Sequence, residues 1–223
     1  MSTKILKNPI EVNNRLEELG QTRERLVEVV EAMVGAKADC TDNDPPGSRG
    51  WSAYRMGTRR LREETLIVEG WVKDDTDQIA SVLNKRLGIR IAVSNTDDGT
   101  GVDEEGVFPQ NRSRKGAATD RAVQTNQGSF MDILDAAMKV VPLRPTAKTP
   151  GPIVTWYLCV YCEGDEYRAE LSCPIDVDAG FFTGFVERII IVGPGFGEGD
   201  PIRRRTDNDN DGSDFDIPVR RKK

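Results

Sequence analysis

IVTWYLCVYCEGDEYRAELSCPIDVDAGFFTGFVERIIIV, residues 153–192, is rich in β-branched and aromatic residues and is interrupted by Gly164-Asp165, a turn sequence. A two-residue turn at this point would pair Cys162 with Tyr167 across two antiparallel strands. The pattern therefore predicts an antiparallel sheet in the last part of the chain. The predicted strands cover residues 153–162, 167–177 and 181–192.

A long amphipathic helix is predicted upstream, because the capping residue Asn8 precedes Pro9 at the first helical position. Gly20 weakens its middle, and we expect it to end near Gly35. Its apolar residues recur at the spacings of a heptad seam: Val12, Leu16, Leu19, Leu26, Val30 and Met33. Two interpretations are open. The seam packs on the protein's own core, or it binds a protein partner or a second copy through Leu16, Leu19, Leu26 and Val30.

The remaining elements complete an α+β fold, with N-terminal helices followed by a mainly antiparallel β-sheet and a polar C-terminal tail. Further helices are predicted over residues 51–64, 75–87 and 129–141, and a strand over residues 89–93. In the first of these helices we expect Trp51, Tyr54 and Leu61 to point inward. We divide the chain into an N-terminal helix (1–36), an α+β core (37–199) and a charged tail (200–223).

Composition excludes several classes of enzyme. The 223 residues contain no histidine, which removes Ser-His-Asp and Cys-His nucleophile systems and histidine-dependent zinc sites. No phosphate-binding P-loop motif is present. The longest apolar run is only as long as a strand, so no membrane span is expected. Four cysteines and no secretory signal at the N-terminus favour the cytoplasm, and the general style of the chain is that of a bacterial or phage accessory protein.

Metal and cofactor sites are not predicted. Cys159 and Cys162 lie three positions apart on a predicted strand, so their thiols point to opposite faces of the sheet. We therefore expect free, buried cysteines. The acidic run from Asp207 to Gly212 matches the first half of a calcium loop, but Pro218 stands where a bidentate Glu is needed.

Residues 94–128 form the candidate site. They contain little apolar material and many amide, hydroxyl and guanidinium groups, and a loop of this length is either functional or disordered. Arginine forks suit phosphate or carboxylate groups. The predicted ligand-binding residues are Asn111, Arg112, Arg114, Lys115, Arg121 and Asn126.

Three functions follow from these observations, and the third is a nucleic-acid-binding accessory in which the same arginines contact phosphates. The first is a non-catalytic intracellular subunit or adaptor that binds a protein partner and possesses a site for an anionic ligand, a nucleotide or nucleic acid. The alternative is an enzyme acting on a phosphate-bearing substrate, with Asp97, Asp98 or Asp120 as base or metal ligand and the loop arginines as anion clamp. A pocket where the loop converges with acidic groups favours the enzyme, whereas a flat basic face favours nucleic acid.

Overall fold

The computed structural model describes residues 3–138 and 151–194. Within these residues the helices are α1 (Pro9–Glu18), α2 (Arg23–Ala38), α3 (Ser48–Thr65) and α4 (Ala117–Met138). The strands are β1 (Lys4–Leu6), β2 (Trp71–Asp74), β3 (Ser81–Asn84), β4 (Ile89–Asn95), β5 (Val154–Glu163), β6 (Glu166–Asp178) and β7 (Phe181–Val192). They form one sheet in the order β1-β7-β6-β5-β4-β3-β2. None of the helices in the described ranges is both long and apolar enough to cross a membrane.

The α+β class with a mainly antiparallel sheet is confirmed, but the sheet is mixed. Neighbouring strands run antiparallel except in the pairs β4/β5 and β1/β7, which are parallel. The parallel pair β4/β5 requires the chain to cross over before β5 begins, and α4 lies in that connection. The strand β1 also precedes the helices. The predicted calcium run and the rest of the tail, residues 200–223, lie outside the described residues.

The three C-terminal strands were predicted correctly. The β5–β6 hairpin pairs Cys162 with Tyr167, as a two-residue turn requires, and Gly164 adopts φ +56° in that turn. Leu158 packs in the apolar cluster beneath α1, α2 and α3, whereas its neighbour Cys159 packs in a second cluster beneath α4. Helices therefore cover both faces of the sheet, which explains why these strands are buried along most of their length.

The single long helix predicted near the N-terminus is wrong. Gly20 ends the first segment with φ +68°, and an added Cβ there would meet Leu87 Cδ1 at 3.0 Å. Thr22 then caps α2 by accepting a hydrogen bond from the amide of Arg25. Gly35 does not end α2, which continues to Ala38. A helix interrupted in this way can wrap two segments over one sheet.

The apolar seam of α1 and α2 lies in the protein's own core. Its four predicted partner-binding residues are between 0% and 3% exposed: Leu16, Leu19, Leu26 and Val30. All belong to the cluster packed on the sheet. The intramolecular interpretation accounts for them, and a partner could reach them only if the helices left the sheet.

The helix α3 packs against α2 through a glycine. An added Cβ at Gly57 of α3 would lie 2.4 Å from Met33 Cγ and 3.3 Å from Val93 Cγ1. The contact therefore depends on the missing side chain. Leu61 of α3 is buried as predicted, but Trp51 is 63% exposed and points away from the core. Trp51 lies in the first turn of α3.

The helix predicted over residues 75–87 does not form. A 3₁₀ turn at Thr76–Gln78 instead connects β2 to β3. The consecutive residues Val82 and Leu83 are both buried in β3, a spacing that a helix face and a strand buried on both faces share. Beside the turn, Asp74 lies 2.8 Å from Arg90 and accepts hydrogen bonds from the Thr76 and Ser81 hydroxyls.

The helix predicted to start at Ser129 starts twelve residues earlier, at Ala117. Its first half was assigned to a loop because the sequence there is polar. That half nevertheless buries one face, with Thr119, Val123 and Asn126 turned towards the sheet. The loop between β4 and α4 therefore covers residues 96–116, and we call this segment the crossover loop.

Candidate functional site

The crossover loop is fixed to the sheet by a buried ion pair. Arg188 of β7 and Glu170 of β6 lie 2.7 Å apart with both side chains fully buried. Glu170 also accepts from the amide of Gly101. Arg188 donates to three further carbonyls of the loop, those of Gly99, Val102 and Val107. Buried charges are tolerated when they are paired and hydrogen-bonded, so this network anchors the loop firmly.

A cleft of about 610 Å³ opens between the anchored loop and the helices on the other face. This volume is typical of ligand pockets, which span roughly 300–1,000 Å³. Asn95 and Glu163, the last residues of β4 and β5, lie on its floor, and α2 and the start of α3 form one wall. The carboxyl ends of parallel strands are the usual ligand-binding edge of such sheets. We call this cavity the strand-end cleft.

Positive charge exceeds negative charge in the strand-end cleft. Among the described lining residues, Glu163 is the single carboxylate, whereas the cations are Lys37, Arg49, Arg112 and Lys115. Lys37 and Arg112 lie 3.6 Å and 3.1 Å from Glu163. These two cations hold the pKa of Glu163 below its usual value. Because both share one carboxylate, the cleft attracts anions.

Lys115 is the cation of the cleft with no ion-pair partner among the described residues. Its side chain is half-buried, and its ammonium group lies 5.8 Å from the ring centroid of Tyr157. Burial lowers the pKa of Lys115. A half-buried ammonium group without a counter-ion loses part of its hydration, and an incoming anion would offset that loss.

The start of α3 adds polar and aromatic groups to the cleft. Gly47 occupies the N-cap position and has no side chain to accept a hydrogen bond from the first turn. The positive end of the helix dipole therefore stays uncapped beside Arg49. Trp51 and Tyr54 line the same wall, with ring centroids 5.9 Å apart and planes inclined by 38°.

The structure brings two of the six predicted ligand-binding residues, Arg112 and Lys115, into the cleft. Arg112 also donates to the Thr96 carbonyl, which directs its side chain across the strand ends. Arg114 lies over the Phe181 ring instead, at 5.9 Å. Neither Arg114 nor Arg121 lines the cleft, and Arg121 pairs with Asp77 at the far side of the sheet.

The two predicted asparagines have structural roles. Asn111 donates to the Gly180 carbonyl and accepts from the Phe182 amide, which ties the crossover loop to β7. Asn126 of α4 donates to the Thr155 carbonyl and accepts from the amide of the same residue. Both amide side chains are buried and satisfied by backbone groups, so their hydrogen bonds are not free for a ligand.

Lys37, Arg49, Trp51 and Glu163 were missed because they lie far from the crossover loop in sequence. Lys37 and Arg49 flank a segment rich in Asp, Pro and Gly that composition assigns to a loop. The one available signal was the short run Gly47-Ser48-Arg49-Gly50-Trp51, in which glycines, an arginine and a tryptophan are adjacent. Only the folded chain shows that this run faces the crossover loop.

The carboxylates of the enzyme hypothesis do not line the cleft. Asp97 accepts hydrogen bonds from the amides of Gly99 and Gln110 and shapes the crossover loop. Asp98 and Asp120 are also absent from the cleft lining. In the described ranges, no group of three or more Cys, Asp or Glu side chains is arranged to hold a metal ion.

Cys159 and Cys162 lie on opposite faces of the sheet, as their spacing predicts, but only two of the four cysteines are buried as expected. Cys159 and Cys173 are buried, and Cys40 and Cys162 are half-buried. All four are free thiols. Burial raises the pKa of Cys159 well above its usual value and that of Cys173 to about 12. The two buried thiols are therefore protonated and unreactive at neutral pH.

Comparison with protein-family models, with curated proteins and with solved structures finds no match to this chain.

Proposed function

We propose that this protein is a non-catalytic binding protein that holds a phosphate-bearing anion in the strand-end cleft. The observation that carries the proposal is the convergence of four cations on one concave site whose described lining contains a single carboxylate, with Arg49 also paired to Asp42 outside that lining. These cations come from the end of α2, the start of α3 and the crossover loop. Separate elements that direct like charges into one cavity favour a bound counter-charge.

The shape of the site favours a small ligand over a nucleic-acid strand. The cations lie within a cleft of about 610 Å³ rather than along a flat face. Arg112 presents a planar fork and Lys115 a compact ammonium group, a combination that suits a phosphate group. The role of subunit or adaptor stays a prediction. The apolar seam of α1 and α2 does not support it, because the seam is buried in the core.

The enzyme alternative has less support. A general base or a metal ligand would need a carboxylate that faces the bound anion. Glu163 is the one described carboxylate in the cleft lining, and two cations already pair with it. Its lowered pKa makes it a poor proton acceptor at neutral pH.

Titration calorimetry with inorganic pyrophosphate tests the proposal on the full chain. We expect one site per chain, and we expect a variant carrying both Arg112→Ala and Lys115→Ala to lose at least tenfold in affinity. Arg59→Ala is the matched control, because Arg59 is an exposed arginine of α3 that pairs with Glu63 outside the cleft. Its affinity should equal that of the wild type.

The salt dependence separates a small anion from a polymer. Affinity for pyrophosphate should fall gently with salt, whereas a nucleic-acid strand that releases many counterions would give a steep slope. Equal binding by the wild type and the double variant, or no pyrophosphate binding at low salt, would show the proposal to be wrong. Arg112→Lys should also weaken binding, because lysine lacks the planar fork.

A further inference from the structure

The exposed tryptophan of α3 extends the cleft beyond a phosphate site. Trp71 and Trp156 are 5% and 4% exposed, as expected of core residues, whereas Trp51 is 63% exposed. Trp51 lines the strand-end cleft and stands two residues after Arg49. A large apolar ring in solvent at the edge of a cationic cavity is a typical surface for stacking.

The aromatic groups and two of the four cations come from different elements of one cavity. Trp51 and Tyr54 lie on the α3 wall, whereas Arg112 and Lys115 come from the crossover loop opposite. The two rings are inclined by 38° and do not stack face to face. A ligand that fills this cavity meets the cations of the crossover loop on one side and the aromatic surface of α3, with Arg49 beside it, on the other.

We infer that the anion is a nucleoside phosphate, with its base on Trp51 and its phosphates between Arg112, Lys115 and the start of α3. This inference rests on the proposed function and adds the chemical class of the ligand. Every nucleobase offers a planar π-face, so stacking on tryptophan recognises the class without selecting one base. The cleft volume of about 610 Å³ accommodates a ligand of this size.

A single nucleotide is favoured over a nucleic-acid strand as the ligand, because one stacking surface holds one base. Proteins that bind single strands line a groove with successive aromatic side chains along a charged path. The other exposed large apolar residues lie outside the cleft lining and are aliphatic: Ile10, Leu66, Ile67, Val72 and Leu87. Among the described residues, the aromatic pair Trp51 and Tyr54 stands alone at this wall.

The test compares ligands that share the phosphate group and differ in the base. ATP, ADP, inorganic triphosphate and inorganic pyrophosphate are titrated calorimetrically into the full chain. We expect ATP to bind at least tenfold more tightly than triphosphate, because it adds the stacked base. Binding of ATP should also change the fluorescence of Trp51, since the two other tryptophans are buried.

Variants of the stacking residue distinguish this inference from the proposed function. Trp51→Ala should lower ATP affinity at least tenfold and leave pyrophosphate affinity within twofold of the wild type. Trp51→Phe should retain most of the ATP affinity, because a smaller ring still stacks. Ile67→Ala, which removes an exposed apolar side chain outside the cleft, should change neither affinity.

Each negative result of these binding experiments leads to a different conclusion. If pyrophosphate binds and ATP binds no more tightly than triphosphate, the base is not recognised and this inference falls while the proposed function stands. If Trp51→Ala weakens pyrophosphate and ATP equally, Trp51 shapes the cleft and does not stack a base. If a short single-stranded oligonucleotide binds a hundredfold more tightly than ATP, the ligand is a nucleic-acid strand and a single nucleotide is excluded as the ligand. If pyrophosphate itself does not bind, the proposed function fails first.

Discussion

Replacing Arg188 by methionine should destabilise the whole protein, because it removes the centre of the network that anchors the crossover loop. The guanidinium group makes two hydrogen bonds to Glu170 and three to carbonyls of the loop. Methionine fills a similar volume but makes none of these hydrogen bonds. The variant therefore removes the guanidinium donor from a buried carboxylate and from three buried or half-buried carbonyls.

Breaking a buried ion pair by removing one partner typically costs about 3–5 kcal/mol. Glu170 keeps two donors after the change, the Gly101 amide and the Ser172 hydroxyl. These donors offset part of the loss, whereas the abandoned carbonyls add to it. We therefore expect a loss of roughly 3–5 kcal/mol in the free energy of unfolding, a large share of the roughly 5–15 kcal/mol typical of a folded domain.

Urea unfolding followed by tryptophan fluorescence measures this loss. Trp71 and Trp156 are buried and report on the core. If Arg188→Met fails to fold, Glu170→Gln provides the milder variant, because glutamine keeps the shape and one acceptor, with an expected loss of about 1–3 kcal/mol. A change below about 1 kcal/mol in both variants would refute the argument that this buried network anchors the loop.

Three further predictions concern other parts of the protein. Gly57→Ala should destabilise the protein by about 1–3 kcal/mol, because the new methyl group overlaps Met33 of α2. Gly35→Ala should stabilise it by roughly 0.5–1 kcal/mol through helix propensity, because its methyl group points into open space. The urea midpoints of the two variants check both signs. Burial alone would raise the pKa of Asp74, but its hydrogen bonds and the nearby guanidinium lower it below the ordinary 3.8. Asp74 therefore contributes roughly 1–3 kcal/mol to the free energy of unfolding at neutral pH. This stability is lost as the pH falls below 3.8 and through the lowered pKa of the folded state. The free energies of unfolding of Asp74→Asn and wild type should differ at pH 7 and converge in acid. A thiol reagent should modify half-buried Cys40 in the folded protein and Cys159 only after unfolding, and mass spectrometry of the labelled peptides would contradict this if Cys159 reacted first.

The sequence alone was sufficient for the part of the fold that local chemistry dictates. The C-terminal strands follow from β-branched and aromatic runs, and their register follows from a two-residue turn at Gly164. The start of α1 follows from Asn8 and Pro9, because capping is a contact between neighbouring residues. The opposite orientation of Cys159 and Cys162 follows from the period of a strand.

Tertiary structure decided the elements whose local signals were ambiguous. The pair Val82 and Leu83 is compatible with a helix or a buried strand, and only pairing with β2 and β4 selects the strand. The first half of α4 is more polar than a typical buried helix. Its Asn126 is accommodated because the backbone of Thr155 supplies both a donor and an acceptor for the buried amide.

The candidate site depended even more on the fold. Composition identified Arg112 and Lys115, since a polar loop of that length suggests a function. It also suggested Arg114, which faces an aromatic ring elsewhere, because sequence gives the charge of a side chain but not its direction. Lys37, Arg49 and Trp51 join the cleft only because β4 and β5 end at the same edge, beside the start of α3. The sequence contains the residue types of the site. Their convergence depends on contacts between segments that lie far apart along the chain, so it exists only in the folded protein.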